Sequence, residues 1–200
     1  MPESVPTSHV RRGSYHERAR KECTLATRYV AFLRGVNVGG VNLKMADVAA
    51  ALTRAGFTGV RTVLASGNVL LESPRDASAV RATAEAALRE RFDYPATALV
   101  YDIDTLRGIV EAYPFESEVP EYHSYVTFVA DGAVLTELSA LVTGIDTDAE
   151  ERIALGDGVI YWQIPKGNTL TSTVGKTMGN KRYASATTTR NLHTLRKMQG

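Results

Sequence analysis

Three short runs in the 200-residue chain carry side chains and turns suited to holding an anion. The first, Arg34-Gly35-Val36-Asn37-Val38-Gly39-Gly40, pairs a guanidinium group with glycines that let backbone amides turn outward. The second is the polar turn Ser66-Gly67-Asn68. The third lies near the C-terminus, where Lys176, Lys181, Arg182, Arg190, Arg196 and Lys197 fall within a span, 165 to 200, that has no acidic residue. Thr188 or Thr189 can cap a last helix running from about Arg190 to Met198, and the amides at such a start would favour a phosphate beside Arg190. The candidate ligand-binding set is therefore Arg34, Asn37, Gly39, Gly40, Ser66, Asn68, Lys176, Lys181, Arg182, Thr188, Thr189, Arg190 and Asn191. On this reading Arg190→Gln weakens anion affinity and leaves the fold largely intact.

Each of these residues also has a plainer role open to it. The glycines can serve backbone shape alone, and Asn37 and Asn68 can satisfy their own turns. Arg34 can form a surface ion pair, and Arg190 can fasten the terminal helix to an acidic surface. Lys176, Lys181 and Arg182 can be ordinary solvated charges, while Arg196 and Lys197 suit the C-terminal end of a helix dipole. Other chemistry is excluded more firmly. The spacing of residues 34 to 40 is neither that of a P-loop nor that of a dinucleotide fingerprint. Ser66 has no histidine and carboxylate in view to activate it. His9, His16, His123, His193 and Cys23 form no compact metal signature. No catalytic residue, metal or cofactor is assigned.

Composition sets the frame for these runs. A hydrophobic fraction of 44% is enough for a core without metal or disulfide staples, and the single cysteine, Cys23, excludes an internal disulfide framework. No apolar run reaches roughly 18 residues, so a soluble, cytoplasmic protein is expected, a monomer or weak dimer with no membrane contact. The net charge of +1 hides an asymmetry: residues 102 to 157 hold thirteen acidic side chains against Arg107 and Arg152, while the acid-free C-terminal span holds seven lysines and arginines. Such separation can steer an anionic partner or join two halves of one protein.

The elements that must position these groups follow from periodicity. Residues 1 to 27 lack a sustained period and read as a polar, flexible leader. Arg28 to Leu33 reads as a buried strand, and Met45, Val48, Ala49, Leu52 and Ala55 mark a helix ended by Gly56. Strands at 60 to 64 and 69 to 71 pair across the Ser66 turn, and Pro74 and Asp76 precede a helix with an inward stripe from Val80 to Phe92. A strand at 96 to 101 completes β-α-β-β-α-β, the order of a ferredoxin-like unit. A linking helix and loop span 102 to 121, with Asp102 or Asp104 as cap. The same order then recurs through strand 124 to 130, helix 133 to 142, strands 152 to 155 and 159 to 164, a helical stretch at 172 to 178 and a Thr-rich strand at 186 to 188. The expected fold is α+β, with ferredoxin-like subdomains at 28–101 and 122–200 and a terminal helix. A right-handed crossover would bring the turns at 34 to 40 and 66 to 68 to one sheet end. On the alternating strand positions Tyr161 and Trp162, at least one ring faces a core.

The chain resembles an uncharacterised bacterial family, domain-of-unknown-function family 1697. The resemblance rests on residues 28 to 40, on Gly56-Phe57-Thr58-Gly59-Val60-Arg61-Thr62, on Ser66-Gly67-Asn68-Val69 and on Thr188-Thr189-Arg190-Asn191, and covers about 28 to 198. It implies two ferredoxin-like subdomains and brings no established substrate, catalytic residue or cofactor. Two departures stand out: Leu43-Lys44 replaces the family's Val-Pro, and Leu170-Thr171-Ser172-Thr173 lacks the lysine of the relatives' Ser-Lys-Leu-Thr. The leading expectation for function is binding of a phosphate-bearing ligand, such as single-stranded nucleic acid or a nucleotide. The alternatives are a small enzyme acting on an anionic metabolite and a protein-interaction scaffold.

Overall fold

A computed structural model describes residues 26–36, 43–93, 95–144 and 150–200. Asn37, Gly39 and Gly40 lie outside the described residues, as does the expected leader up to residue 25. The first unit runs β1 (Thr27–Arg34), α1 (Met45–Arg54), β2 (Thr58–Val63), β3 (Asn68–Ser73), α2 (Ala77–Phe92) and β4 (Thr97–Asp102). Next comes α3 (Ile103–Glu111). The second unit comprises β5 (Tyr122–Val129), α4 (Gly132–Gly144), β6 (Arg152–Leu155), β7 (Val159–Pro165), α5 (Thr173–Met178), a 3-10 turn at Lys181–Tyr183 and β8 (Thr187–Asn191). It is followed by α6 (Leu192–Lys197). The sheet orders are β2-β3-β1-β4 and β6-β7-β5-β8, both antiparallel, so each unit has the ferredoxin-like arrangement.

Local chemistry explains the main boundaries. Asp76 accepts from the Ala79 amide at 2.8 Å and starts α2; Asp102 does the same for Thr105 at 2.8 Å and starts α3, so of the two candidate caps it is the first that is used. Gly56 ends α1 with φ 94, a left-handed value that a side chain would resist. The C-terminal expectation needs correction. The Thr-rich run continues as a strand through Asn191, because β-branched Thr187, Thr188 and Thr189 suit a pleated edge paired with β5. The last helix therefore begins at Leu192, and its cap is Asn191, whose Oδ1 accepts from the His193 amide at 2.9 Å; neither Thr188 nor Thr189 caps it.

Burial on both faces governs the packing. In β1, Tyr29, Ala31 and Leu33 point to the core under α1 and α2, while the alternate residues Val30 and Phe32 point to a second core. That second core is shared: Val30, Phe32, Leu70 and Leu99 meet Val126, Phe128, Val159 and Tyr161 of the other sheet. The segment expected as a linker closes one side, since Ile103, Leu106 and Val110 of α3 join Leu192, Leu195 and Met198 around α6. Tyr161 and Trp162 both enter cores, Tyr161 between the sheets and Trp162 against the helices of its own unit. Phe32 and Phe128 stack tilted at 4.7 Å between centroids and stand at the middle of the shared layer. Among the described residues no helix is long and apolar enough to cross a membrane.

One acidic side chain, Glu85, is buried in the first unit. It accepts from Arg81 Nε, Arg89 Nη2 and the Ala98 amide, each at 2.9 Å. Burial alone would raise its pKa, but the Ala98 amide and the two arginines outweigh it and hold the carboxyl below its usual 4.5. A depressed folded-state pKa contributes stability above the unfolded value, and that stability is lost as pH falls through the folded one. Glu85→Gln is therefore expected to cost on the order of 2 kcal/mol at neutral pH in urea unfolding. The gap from the parent should close as the solution is acidified below 4.5.

Candidate functional site

The fold brings the first and third sequence runs to one seam. Leu33 N donates to Gly67 O at 2.7 Å, so the C-terminal end of β1 and the turn before β3 are bonded to each other. Gly67 is required there: its φ is 75, and a Cβ would lie 3.1 Å from both the Leu33 side chain and its carbonyl oxygen. Gly35, at φ 68, turns the chain out of β1. From the other unit, β8 runs antiparallel to β5, with Arg190 opposite Val126 and Thr188 opposite Phe128, which puts both on the face that meets the first sheet.

Arg190 crosses this seam. Its Nε donates to Asn68 Oδ1 at 2.6 Å and its Nη2 to the Leu33 carbonyl at 3.0 Å, both in the first unit. Its Nη1 donates to Thr188 Oγ1 at 2.8 Å and to the Thr189 carbonyl at 2.9 Å, and the guanidinium carbon sits 5.2 Å from the Phe32 ring centroid. Four of the five donors a guanidinium group carries are therefore engaged, all with neutral oxygens. Burial, and then the charge of Arg34, push its pKa down to about 10, so it is still a cation at neutral pH. Arg34 crosses in the opposite direction, its Nη1 donating to the Ser185 carbonyl. Burial and the nearby Arg81 lower its pKa as well.

Between the two arginines opens a cleft of about 380 Å³. Leu33, Arg34, Gly35, Val36 and Ser66 line it from the first unit, and Met178, Gly179, Asn180, Ala184 and Thr187 to Arg190 from the second. Among the described lining residues there is no acid, histidine or aromatic ring.

The other sequence candidates separate into two groups. Asn68 is fully buried and spent on the fold: its Nδ2 donates to the Val63 carbonyl and Ser66 Oγ, both at 2.9 Å, and its Oδ1 receives Arg190. Thr189 shares a 2.8 Å hydrogen bond with Thr127, which also accepts from Trp162 Nε1 at 3.0 Å. Arg182 is paired with Glu137 at 3.0 Å, and the same carboxylate accepts from Tyr183 OH at 2.9 Å. Lys176 and Lys181 are exposed and do not line the cleft. Ser66 and Thr188 do line it. The start of α5 already holds an anion of the chain itself, since the Glu151 carboxylate accepts from the Thr173 and Val174 amides at 3.1 Å each. Sequence reasoning missed Ser185, Asn180 and Thr187; the flanking Lys181, Arg182 and Thr188 marked the right segment, but nothing in sequence showed which neighbours turn inward.

The model of a protein of unknown function, DUF1697, matches residues 26–161, a span that contains Arg34 and Asn68 and stops short of Arg190. No curated protein matches the chain. Among solved structures it is similar to the conserved bacterial protein SP0830 from Streptococcus pneumoniae, with 20% identity and a TM-score of 0.72 over 87% of this chain and 97% of that one, a likeness of fold. An unknown protein from Galdieria sulphuraria matches at 11% identity over 83% of this chain and 97% of that chain with a TM-score of 0.25, too low to bear on the fold.

The bonds of Arg190 reverse one sequence expectation. Arg190→Gln should now lower stability by roughly 3 kcal/mol, because a charged hub is lost and Asn68 and Leu33 keep buried oxygens without a donor. Arg190→Lys should rescue little, a single ammonium being unable to reach the same acceptors. A double-mutant cycle with Asn68→Ala, read by chemical unfolding, should give a coupling of about 1 to 3 kcal/mol; additive losses would show that the hub is not a unit.

Proposed function

Because the chain belongs to the DUF1697 family, which brings no ligand with it, we propose from its own geometry that the cleft between the two units binds a phosphate-bearing ligand, with Arg34 as the direct contact and Arg190 as a fixed source of positive potential. One observation carries this reading: two guanidinium groups line the same cleft from opposite units, every described hydrogen bond they make is to a neutral oxygen, and no described residue lining the cleft is acidic. A purely structural staple is better made with a carboxylate, which cancels the charge it holds. Here like charges are gathered from opposite walls with no counter-ion from the described protein. An anion in the cleft supplies the missing partner.

The two arginines divide the work. Arg190 has at most one donor left for a ligand, whereas Arg34 makes a single hydrogen bond among the described residues. Ser66, which is exposed, adds a hydroxyl group to the lining, while the buried Thr188 hydroxyl accepts from Arg190. With no acid, base or thiol among the described lining residues, the site supports binding rather than catalysis.

Arg34→Gln tests this directly. Its side chain is half-buried and its one described hydrogen bond goes to a backbone carbonyl, so the variant should fold. Its affinity for inorganic phosphate, measured by calorimetry at low salt, should fall at least tenfold, the equivalent of about 1.4 kcal/mol. Parent protein that binds neither phosphate nor a nucleotide at low salt would end the proposal.

A further inference from the structure

We infer that the cleft selects a terminal phosphate monoester, the dianionic end of a phosphorylated small molecule or mononucleotide, over the phosphodiester backbone of a nucleic-acid chain; the inference rests on the reading of the cleft as an anion site. Charge is the first argument. Two guanidinium groups line one cleft from opposite units, Arg34 reaching the Ser185 carbonyl and Arg190 the Leu33 carbonyl. A monoester carries close to two negative charges at neutral pH and a diester carries one, so only the monoester balances the pair at a single phosphate.

Shape gives the second argument. A strand needs a basic track that follows its successive phosphates, together with flat rings for its bases. Most neighbouring arginines do not extend the cleft into such a track: Arg182 is held by Glu137, Arg81 and Arg89 by Glu85, and Arg196 by Glu118 and Ser117, while the exposed Lys176 and Lys181 stand outside the lining. The rings nearest the seam, Phe32, Tyr101 and Phe128, stack on one another inside the shared core, and none lines the cleft. At about 380 Å³ the space lies toward the lower end of small-molecule sites.

The site also has a pH signature. The charged described residues that line the cleft are Arg34 from β1 and Arg190 from β8; behind them Arg81 of α2 is paired with Glu85, and on the 3-10 turn Arg182 is paired with Glu137 beside the exposed Lys181. None of the arginines changes charge between mild acid and neutrality. Among the described lining residues no group titrates in that range, so the pH dependence expected of binding is that of the ligand, whose second ionisation lies near pH 6.

Isothermal titration of the full chain with methyl phosphate, dimethyl phosphate and inorganic sulfate, at about pH 7 and about pH 5, reads both arguments. Methyl phosphate should bind at neutral pH and weaken about tenfold in acid, following its dianion fraction. Sulfate, a dianion at both pH values, should show no such change, and dimethyl phosphate should bind at least tenfold more weakly than methyl phosphate at neutral pH. Arg34→Gln should weaken methyl phosphate binding at neutral pH at least tenfold. Equal affinity for the monoester and the diester, or a monoester affinity indifferent to pH, would overturn the selectivity and leave the anion site standing. Failure of every anion to bind would instead overturn the anion site itself, and the selectivity with it.

Discussion

The two units are joined by the need to cover both faces of their sheets. A ferredoxin-like unit places its helices on one side, and β1, β5 and β7 are apolar on both. The uncovered faces bury each other, with Phe32 and Phe128 fully excluded from water at the centre and α3 with α6 along one side. At roughly 25 cal/mol for each Å² of apolar surface removed from water, this layer is worth far more than any polar contact at its edge. The burial fixes how the sheets face one another, and the polar groups of the seam have to fit what it leaves.

What it leaves is a place where the C-terminal end of β1, the start of β3 and the edge strand β8 approach without helices between them. Backbone carbonyls at such a seam need donors, and arginine supplies several from one side chain. Arg190 satisfies Leu33, and Asn68, itself buried, orients it. Packing against Phe32 adds a favourable contact between cation and ring. These contacts explain why an arginine stands there, but not why a second one reaches across from Arg34, since hydrogen bonding to neutral oxygens leaves both charges in place.

Much of the fold was legible because its causes are local. The continuous apolar run of Tyr29 to Leu33 announced a buried strand, Asp76 and the choice of Asp102 or Asp104 announced helix starts, and the order of elements repeated. The error at the C-terminus is also instructive: threonines can cap a helix or form a strand edge, and only the pairing of β8 with β5 decides between them. For the same reason the role of Arg190 was hidden. Its partners Leu33 and Asn68 are more than a hundred residues away in sequence, and no local pattern marks a side chain that crosses a seam. The basic tail read as one cluster, whereas the structure disperses it, assigning Arg182 and Arg196 to acidic partners outside the tail.

This dispersal makes the charge at the seam more informative than the charge of the sequence. Several arginines are given a carboxylate, Glu137 for Arg182, Glu118 for Arg196 and Glu85 for two at once, while Arg61, Arg75 and Arg152, which bond to neutral oxygens, are exposed to water. Even the start of α5 is given Glu151. The pair at the seam lies outside that pattern, and the cost is borne jointly by two units that must stay together for either arginine to reach its carbonyl. An anion held between them would touch both units, so its binding free energy would also oppose their separation. A ligand placed there would act on the seam itself, and relief of the mutual repulsion between two like charges would strengthen the grip on a doubly charged partner.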